Sequence, residues 1–397
     1  MAGQAGIGTV DGQSADALGP IAEGLRIALF SGNYNCVRDG ANKALNRLVQ
    51  FLLDHGAAVR VYSPTAPRPA FEPAGDLVSV PSFGIPTRSE YRIAPGLPRK
   101  IRDDIRRFAP THFHLSAPDF LGTAAQDFAR ELGVPVIASL HTRFETYLEY
   151  YRLGFLSGWM RRRLDRFYGA SDYILVPNRP IAEEFRAKGW GEKLRIWGRG
   201  VNRDIFTPAR RDMAWRRAQG YEDHDAVVLF FGRLVVEKGL DTFEAVVTEL
   251  RRRGDPVRPL VVGDGPAGDW FASLLPNTVF TGHLEGAELG RAIASADILV
   301  NPSVTEAFGN VNLEAMAAAL AVVSADVGSA QALIDSGRTG ILVPPRDVAA
   351  YADAVGRLMH DPAERRRLGD AALAASSEYN WPDVLASVVR TYRLASR

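Results

Sequence analysis

Two carboxylates near the C-terminal third of the chain flank a short turn in a pattern that suits a ligand with both anionic and hydroxyl groups. Glu306 and Glu314 stand on either side of the turn Phe308-Gly309-Asn310, which follows the apolar run 297–300. That run predicts a buried strand. Asn310 is expected to be the N-cap of a helix that begins at the turn. The pattern therefore predicts a strand, a tight turn and a helix N-terminus between two acids.

The expected ligand follows from what such a turn offers. Gly309 lets the backbone approach a ligand closely, and the N–H groups of a helix N-terminus attract an anion such as a diphosphate. Glu306 can reach sugar hydroxyls, and Glu314, about one turn inside the helix, can accept hydrogen bonds from ribose hydroxyls. Each acid taken singly is more simply a solvated residue, so the interpretation depends on the motifs around them.

Two cations follow the first predicted strand of the second half of the chain. Gly232 allows a sharp turn after the strand predicted over 226–231, and Arg233 and Lys238 bracket the loop that follows. At the carboxyl end of a strand, two cations can hold a diphosphate and neutralise the charge that develops on it as a leaving group. On position alone, a pair of solvated surface cations explains them equally well.

A histidine follows a predicted strand of the first half. His141 comes directly after the apolar run 136–140, and the carboxyl ends of parallel strands form the ligand-binding edge of such sheets. An imidazole there can bond a sugar hydroxyl or stabilise positive charge at a reacting carbon. His114, midway through a shorter predicted strand, is expected to be an ordinary core residue.

The run 263–268 matches G-x-G-x-x-G, which makes an NAD-dependent oxidoreductase a rival function. That fingerprint requires an acidic residue about 20 positions later, at the end of the next strand. Here the strand predicted over 278–281 leads into Gly282-His283, and Pro266 occupies the turn that should stay open. We therefore expect Gly263 to begin a structural turn beside a nucleotide site.

No metal centre is expected. Asp223-His224-Asp225 spells D-x-D, a metal-binding pattern in other sugar-transferring folds, but here it precedes a predicted strand and so lies at the wrong end for a ligand. No Cys/His cluster has zinc spacing. The only cysteine, Cys36, provides no disulfide framework, which fits a reducing cytoplasm.

Length and charge limit the class of protein further. A chain of 397 residues exceeds what one hydrophobic core accommodates, which is roughly 250–300 residues, so two domains are expected. A net charge of +1 argues against a nucleic-acid partner, which requires a basic excess. Residues 1–23 are rich in Gly and Ala and are expected to form a flexible tail.

Strand and helix signals alternate in both halves. The first half predicts strands over 25–30, 59–62, 112–115, 135–140 and 173–177, and the second over 226–231, 259–262, 278–281, 297–300 and 321–324. Helices are predicted over 41–55, 97–108, 123–132 and 241–253, the last opened by a capping-box pair of Asp241 and Glu244. This alternation implies mainly parallel sheets with both faces covered.

The expected fold class is therefore α/β, with two Rossmann-like doubly wound domains that face each other across a cleft. The first domain is expected over 24–202 and the second over 203–378. Residues 379–397 are expected to form a C-terminal helix that packs back on the first domain. Ligands should bind at the carboxyl ends of the strands.

Together these segments resemble the retaining glycosyltransferases of family 4, which have the GT-B fold. The resemblance covers nearly the whole chain, and its strongest element is E-x7-E from Glu306 to Glu314. The segments 232–239, 262–266 and 282–283 match further loops of that family, and 197–208 matches its interdomain segment. Together these matches are highly specific, although each alone is not.

The resemblance implies a role for each donor-site residue. Arg233 and Lys238 would bind the donor diphosphate, and Glu314 would hold the ribose. Glu306 and the backbone from Phe308 to Asn310 would hold the donor sugar and phosphate. The first half would accordingly be the acceptor-binding domain and the second the nucleotide-sugar-binding domain.

The resemblance also implies a mechanism. His141 would contact the sugar near its anomeric carbon, and Gly40 stands where the family has a glycine in the first loop. The family needs no metal or other cofactor. Transfer is thought to occur on one face of the sugar, with a donor phosphate oxygen taking the acceptor's proton, which explains why no general base is evident.

Within the family, one segment of the first half resembles the branch that glycosylates lipids. The pattern is His141-Thr142 followed by Tyr147 and Tyr150-Tyr151. That branch includes sulfoquinovosyl-diacylglycerol synthases and lipid or phosphoinositol mannosyltransferases. A lipid or glycan acceptor is therefore expected, with a UDP- or GDP-sugar as donor. A catalytically silent subunit that only binds a nucleotide-sugar is the non-enzymatic rival.

Clusters of basic residues suggest where a membrane would be contacted. They are Arg99, Lys100, Arg102, Arg106 and Arg107 in one helical segment, and Arg161, Arg162 and Arg163 after the apolar run 153–160. Basic residues beside exposed apolar ones suit an anionic membrane surface. We expect a cytoplasmic protein in peripheral contact with the inner face of a membrane. The alternative for either segment is a solvated helix face.

Overall fold

The computed structural model describes residues 19–36, 40–85, 88–141 and 157–396. The chain forms two compact units, one comprising Met1–Arg199 with Trp381–Arg397 and the other Gly200–Asn380. Of the tail expected over 1–23, residues 1–18 lie outside the described residues. In the part of the chain that is described, no helix is both long enough and apolar enough to cross a membrane.

The first unit is built on a parallel sheet whose strands alternate with helices. Its strands are β1 (Arg26–Phe30), β2 (Ala58–Ser63), β3 (Asp76–Ser79), β4 (Phe83–Ile85), β5 (Arg88–Ile93), β6 (His112–Leu115), β7 (Val136–Ser139), β8 (Tyr173–Val176) and β9 (Leu194–Ile196). Its helices are α1 (Gly40–Asp54), α2 (Arg99–Phe108), α3 (Phe120–Leu132), α4 (Ser157–Gly169) and α5 (Arg179–Phe185). The sheet order is β3-β2-β1-β6-β7-β8-β9, and β4 and β5 form a separate antiparallel hairpin.

The second unit repeats this plan. Its strands are β10 (Val227–Phe231), β11 (Arg258–Val262), β12 (Val279–Phe280), β13 (Ile298–Asn301), β14 (Ala321–Ala325) and β15 (Ile341–Val343). Its helices are α6 (Met213–Ala218), α7 (Leu240–Arg253), α8 (Gly268–Leu274), α9 (Gly286–Ala294), α10 (Asn310–Ala317), α11 (Gly328–Gln331), α12 (Val348–His360) and α13 (Pro362–Ser376). The sheet is parallel throughout, in the order β12-β11-β10-β13-β14-β15.

The central strands of each parallel sheet are mainly apolar and buried because both faces of the sheet are covered. In the first unit, Phe30 of β1 stacks between Tyr62 and Phe113 of the neighbouring strands, with ring centroids 5.0 and 5.2 Å apart. One face of this sheet packs against α2, α3 and α4, and the other packs against α1. The prediction of two doubly wound α/β units is confirmed.

The chain ends in α14 (Trp381–Ala395), which belongs to the first unit. Leu385, Val389 and Tyr392 of this helix are buried in the same cluster as Leu48 of α1. Arg393 donates hydrogen bonds to the carbonyl oxygen of Glu23, at 2.6 Å, and to that of Ile21. The last helix therefore covers the face of the first sheet that carries α1.

The structure corrects the predicted start of α7. Asp241 and Glu244 form no capping box, because the helix begins at Leu240 and its N-cap is Gly239. Gly239 has a φ of 76°, a left-handed conformation that glycine adopts without steric cost. Asp241 instead accepts a hydrogen bond from the backbone N–H of Thr242. The short strands β3, β9 and β15 and the hairpin were not predicted.

Candidate functional site

Three loops of the second unit leave the sheet at the same edge. They follow β10, β11 and β13, and β10 lies between the other two strands in the sheet. The strand after β10 in the chain, β11, pairs with β10 on one side, and β13 pairs with β10 on the other side. Such a topological switch point opens a crevice at the carboxyl ends of the strands, where doubly wound sheets bind ligands.

The loops after β10 and β11 pack backbone against backbone. Gly232 and Gly263 have φ values of 143° and 140°, and a side chain at Gly263 would overlap the carbonyl oxygen of Gly232. One at Gly265 would overlap the carbonyl oxygen of Leu234, whose own N–H donates to the carbonyl of Asp264 at 2.9 Å. The glycines are thus required for loop packing, which confirms the prediction that Gly263 begins a structural turn.

An ion pair joins the loop after β10 to the loop after β13. Lys238 Nζ donates to Glu306 Oε1 at 2.5 Å, and their side chains are only 28% and 19% exposed. Gly239 makes this approach possible, because a side chain there would collide with Pro302. The structure therefore brings together two residues that the sequence placed 68 positions apart and in separate motifs.

Arg233 differs from Lys238 in its surroundings. Its side chain is exposed, and no described residue forms an ion pair with it. A guanidinium in this state can reorient toward an anion without breaking an existing interaction. The two cations predicted for the diphosphate are thus one held ammonium and one exposed guanidinium on the same loop.

The helix after the β13 loop begins at Asn310, so the expectation that Asn310 is the N-cap is wrong. Gly309 is the N-cap, with a φ of 89°, and its carbonyl oxygen accepts from the N–H of Asn312 at 3.0 Å. Among the described residues, no side chain caps this terminus. Glu314 is the fifth residue of α10 and is half-buried. The left-handed turn thus presents the N-terminus of α10 at the switch point.

A buried polar network below the loop was not predicted from the sequence. Asn301 Nδ2 donates to Asn312 Oδ1 at 2.8 Å, and Asn312 Nδ2 donates to Ser324 Oγ at 3.0 Å. Asn301 Oδ1 also accepts from the N–H of Ser303. All four residues are buried. The available signal was an asparagine at the end of an apolar strand, where burial demands hydrogen-bond partners.

Phe308 anchors the other side of the same turn. Its ring is buried and packs edge-on against Tyr379, with ring centroids 6.2 Å apart. The side chain therefore points into the unit, and only its backbone is available at the turn. The contact of the backbone from Phe308 to Asn310 with a ligand stays a prediction.

In the first unit, both ring nitrogens of His141 are engaged. Arg199 Nη2 lies 2.9 Å from Nδ1, and Ser139 Oγ lies 2.9 Å from Nε2. The imidazole also packs edge-on against Trp197, with ring centroids 4.8 Å apart. Loss of solvation, followed by the Arg199 cation, holds the pKa of His141 well below 6.5. The side chain is a neutral imidazole fixed by its own unit.

The other residues singled out in the first unit lie where the loops leave the sheet or in its core. Gly40 is the first residue of α1 and is exposed. His114 is buried, with Ser139 Oγ at 3.0 Å and Tyr392 Oη at 2.5 Å, which confirms it as a core residue. Tyr147, Tyr150 and Tyr151 lie outside the described residues.

The D-x-D segment is a surface turn, as expected. It precedes β10 and so lies at the amino end of the sheet. Asp223 pairs with Arg217 at 2.6 Å, and Asp225 pairs with Arg258 at 3.2 Å. Both carboxylates are therefore occupied by structural ion pairs at the edge opposite the switch point.

Two doubly wound parallel units, with cations, carboxylates and a helix N-terminus at the switch point of the second, define a GT-B glycosyltransferase. The chain belongs to glycosyltransferase family 4. Residues 38–205 match the family model described as Glycosyltransferase Family 4, and residues 225–361 match the model described as Glycosyl transferases group 1. The protein is therefore a retaining hexosyltransferase that uses a nucleotide-sugar donor.

Known proteins resemble the chain along most of its length. It is 31% identical over 365 residues to the sulfoquinovosyl transferase SQD2 of Arabidopsis thaliana, covering 90% of this chain and 71% of the relative. It is also 31% identical over 379 residues to a GDP-mannose-dependent alpha-mannosyltransferase of Mycolicibacterium smegmatis, covering 93% and 97%. Sucrose-phosphate synthase from Thermosynechococcus elongatus has the same fold, with a TM-score of 0.74, 20% identity and coverage of 93% and 98%.

Replacing Gly263 by Ala should destabilise the second unit by about 2–4 kcal/mol, because it combines a strained φ with an overlap at the Gly232 carbonyl. Gly268→Ala in the same motif is the matched control. Its new methyl group would meet only Leu234 and Asp264 at ordinary contact distances. Urea unfolding of both variants measures the difference. Equal destabilisation by the two substitutions would contradict the loop-packing explanation.

Stability should fall as the pH falls below about 6.5. Burial lowers the pKa of His112 to about 4 and that of His114 to about 3, and His141 also stays neutral. Burial raises the pKa of Asp119, the N-cap of α3, to about 6. The folded chain therefore binds a proton at Asp119 in this pH range, which offsets the proton that one histidine binds only in the unfolded chain. From pH 6 to 5 the unfolded chain thus binds about two more protons, three minus one, and unfolding becomes easier by about 2.7 kcal/mol per pH unit.

Urea unfolding at pH 5 and pH 6 measures this slope. Asp119→Asn keeps an oxygen that can cap α3 and removes the opposing titration, so its slope should be steeper by about 1.4 kcal/mol per pH unit. A wild-type stability that is independent of pH in this range would show that the histidines are not held neutral.

Proposed function

We propose that this enzyme transfers a hexosyl group from a UDP- or GDP-sugar to a lipid or glycolipid acceptor at a membrane surface. The observation that carries the donor half of the proposal is the Lys238–Glu306 ion pair at the switch point of the second unit. It places a cation for a diphosphate and a carboxylate for sugar hydroxyls within hydrogen-bonding distance of each other, beside the N-terminus of α10.

Lys238 and Arg233 hold the donor diphosphate. An ion pair between two partly exposed side chains contributes about 0–1 kcal/mol, so a diphosphate that brings at least two negative charges displaces Glu306 as the partner of Lys238. Arg233 reorients toward the same anion from the exposed side of the loop. Both cations then stabilise the negative charge that develops on the diphosphate as it leaves.

Glu306, once released by Lys238, is an acceptor for the hydroxyls of the donor sugar. The N-terminus of α10 supplies N–H donors to the phosphates, and Gly309 keeps the approach to them free of a side chain. Glu314, one turn further along the same helix, accepts hydrogen bonds from the ribose hydroxyls. Diphosphate, sugar and ribose are thus distributed over the loops after β10 and β13 and the first turns of α10.

The catalytic contribution of the first unit centres on His141. In transfer with retention, positive charge develops at the anomeric carbon as the diphosphate departs. A positively charged imidazolium close to that carbon would repel this developing charge and raise the barrier. The neutral imidazole of His141 does not repel it. A donor phosphate oxygen takes the acceptor's proton, and Arg233 and Lys238 supply the charge compensation without a metal ion. Gly40, the first residue of α1, belongs to the proposed donor site because it stands where the family has a glycine.

Nucleotide binding tests the donor site directly. At about 100 times its dissociation constant, a nucleoside diphosphate adds roughly 2.7 kcal/mol of stability, which corresponds to a thermal shift of roughly 5–10 °C. UDP or GDP, but not ADP or NAD, is expected to produce this shift. The mannosyltransferase relative makes GDP, with GDP-mannose as the sugar donor, the first pair to examine.

Glu314→Gln should weaken the nucleotide about tenfold or more, because it removes a charged acceptor of two ribose hydrogen bonds. Glu288→Gln, an exposed carboxylate on α9 of the same unit, is the matched control and should bind as the wild type does. Stabilisation by NAD and not by UDP or GDP would favour an NAD-dependent oxidoreductase over a glycosyltransferase. Binding without turnover of any donor would indicate the silent subunit.

The acceptor half of the proposal is supported by an exposed basic and aromatic surface on the first unit. Its aromatic members are Phe120 and Trp159, each 52% exposed. Arg163 lies over both rings, at 4.9 and 5.8 Å from their centroids. Arg161 and Arg162 on α4 are exposed, and no described residue pairs with them. Aromatic rings flanked by cations that have no ion-pair partner among the described residues suit the interface of an anionic membrane.

The second basic segment, α2, is less suited to this role than the sequence implied. Arg106 pairs with Asp103 at 3.0 Å and Arg107 with Asp104 at 3.2 Å. Arg102 also lies over the ring of Phe128. These positive charges are largely balanced within the unit, so α2 behaves as a solvated helix face. We therefore assign the membrane contact to α4 and Phe120 alone.

The double variant Arg161→Gln/Arg162→Gln should bind anionic vesicles about 30-fold more weakly, because each lost cation removes about 1 kcal/mol at the surface. The equivalent double variant Arg106→Gln/Arg107→Gln on α2 is the control and should sediment as the wild type does. The measurement is co-sedimentation with phosphatidylglycerol vesicles at low salt. Failure of the wild type to sediment, or equal loss by both variants, would contradict the assignment.

A further inference from the structure

A continuous chain of hydrogen-bonded side chains runs through the first unit to His141. Arg199 Nη2 lies 2.9 Å from His141 Nδ1, and His141 Nε2 lies 2.9 Å from Ser139 Oγ. Ser139 Oγ lies 3.0 Å from His114 Nε2, and His114 Nδ1 lies 2.5 Å from Tyr392 Oη. The chain connects the loop after β7 with the C-terminal helix α14.

The surroundings of this chain hold it in one arrangement. Ser139, His114 and Tyr392 are fully buried, and Arg199 is 4% exposed. Arg199 is itself fixed, since its Nη1 donates to the carbonyl oxygen of Gly198 at 2.9 Å. Trp197 packs edge-on against both imidazoles. These partners are shielded from water, and the His141 ring at the end of the chain is half-buried.

The chemistry of the partners determines where the proton of His141 resides. A guanidinium has donors and no acceptor, so Nδ1 of His141 must accept from Arg199 with its lone pair. The single proton of the neutral ring is then on Nε2 and is donated to Ser139 Oγ. Ser139 Oγ in turn donates a hydrogen bond to His114 Nε2 or to the carbonyl oxygen of Leu115, which lies 3.4 Å away.

We propose that Arg199 and Tyr392 are positioning residues for His141, which together hold its imidazole neutral, protonated on Nε2 and in a single orientation. Arg199 selects the tautomer from one side of the ring. Tyr392 fixes the far end of the chain through His114 and Ser139. The inference rests on the proposed function, in which His141 contacts the hexosyl group near its reacting carbon.

The arrangement explains why a residue 251 positions beyond His141 in the sequence should matter for the reaction. If the Tyr392 hydroxyl is removed, His114 loses a buried partner and can turn or exchange tautomers, and Ser139 then loses the partner that directs its own proton. His141 would retain Arg199 but no longer have a single orientation. The ring would be displaced from its position in the transition state while the donor site in the second unit stays intact.

Tyr392→Phe is the first test, because it removes the hydroxyl and keeps the ring. We expect kcat to fall about tenfold, the effect of one lost hydrogen bond on a barrier, with the KM for the nucleotide-sugar unchanged. Tyr351→Phe on α12 is the matched control: Tyr351 is equally buried, and its hydroxyl has no hydrogen-bond partner among the described residues. It should leave both kinetic constants unchanged.

Nitrogen NMR of histidine-labelled protein is the second test and requires no turnover. The His141 signals are identified by their absence in His141→Gln. In the wild type, Nδ1 should have the shift of an unprotonated, hydrogen-bonded nitrogen, and Nε2 that of a protonated one. Arg199→Met should mix the two tautomers, whereas Arg199→Lys, which also offers only donors, should restore the wild-type pattern.

Either of two results would overturn the proposal. One is a kcat for Tyr392→Phe equal to that of Tyr351→Phe. The other is a His141 nitrogen pattern that Arg199→Met leaves unchanged. If the NMR results are as expected but no nucleotide-sugar is turned over, then the positioning chain stands and the proposed function fails. The two failures are therefore distinguishable.

Discussion

The ion pair between Lys238 and Glu306 is the constraint on which the proposed donor site depends. It bridges the loops after β10 and β13, at the topological switch point of the second sheet. Gly239 permits the approach, and Gly309 continues the second loop into α10. A pair of this exposure is weak enough to be replaced by a diphosphate. In the proposed function, the same contact therefore preorganises the loops and yields to the ligand.

Much of this arrangement is readable from the sequence because the relevant signals are local. Apolar runs ending in Gly or polar residues predict the parallel strands, and the spacing of Glu306 and Glu314 predicts a turn and a helix between them. The sequence also predicts the structural turn at Gly263, since its motif lacks the acidic ribose ligand of a dinucleotide site. Short edge strands such as β9 and β15 carry too few residues to give a periodic signal.

Other features depend on contacts between distant parts of the chain. His114 and Tyr392 are 278 positions apart, and no pattern links them. Asn310 has the residue type of an N-cap, but Gly309 takes that position, because glycine adopts the left-handed backbone conformation found there without steric cost. The basic residues of α2 suggest a membrane contact in the sequence. In the structure, Asp103 and Asp104 on the same helix form ion pairs with Arg106 and Arg107.

The most direct test of the donor site compares free nucleoside diphosphate binding to Lys238→Met and Glu306→Gln by calorimetric titration. Lys238→Met should weaken binding by about tenfold or more, the loss of one charge-assisted hydrogen bond. Glu306→Gln should bind the diphosphate at least as tightly as the wild type, because Lys238 no longer has a competing carboxylate, and yet transfer hexose far more slowly. If Glu306→Gln weakens the diphosphate as much as Lys238→Met does, the pair is a structural clamp and the account is wrong.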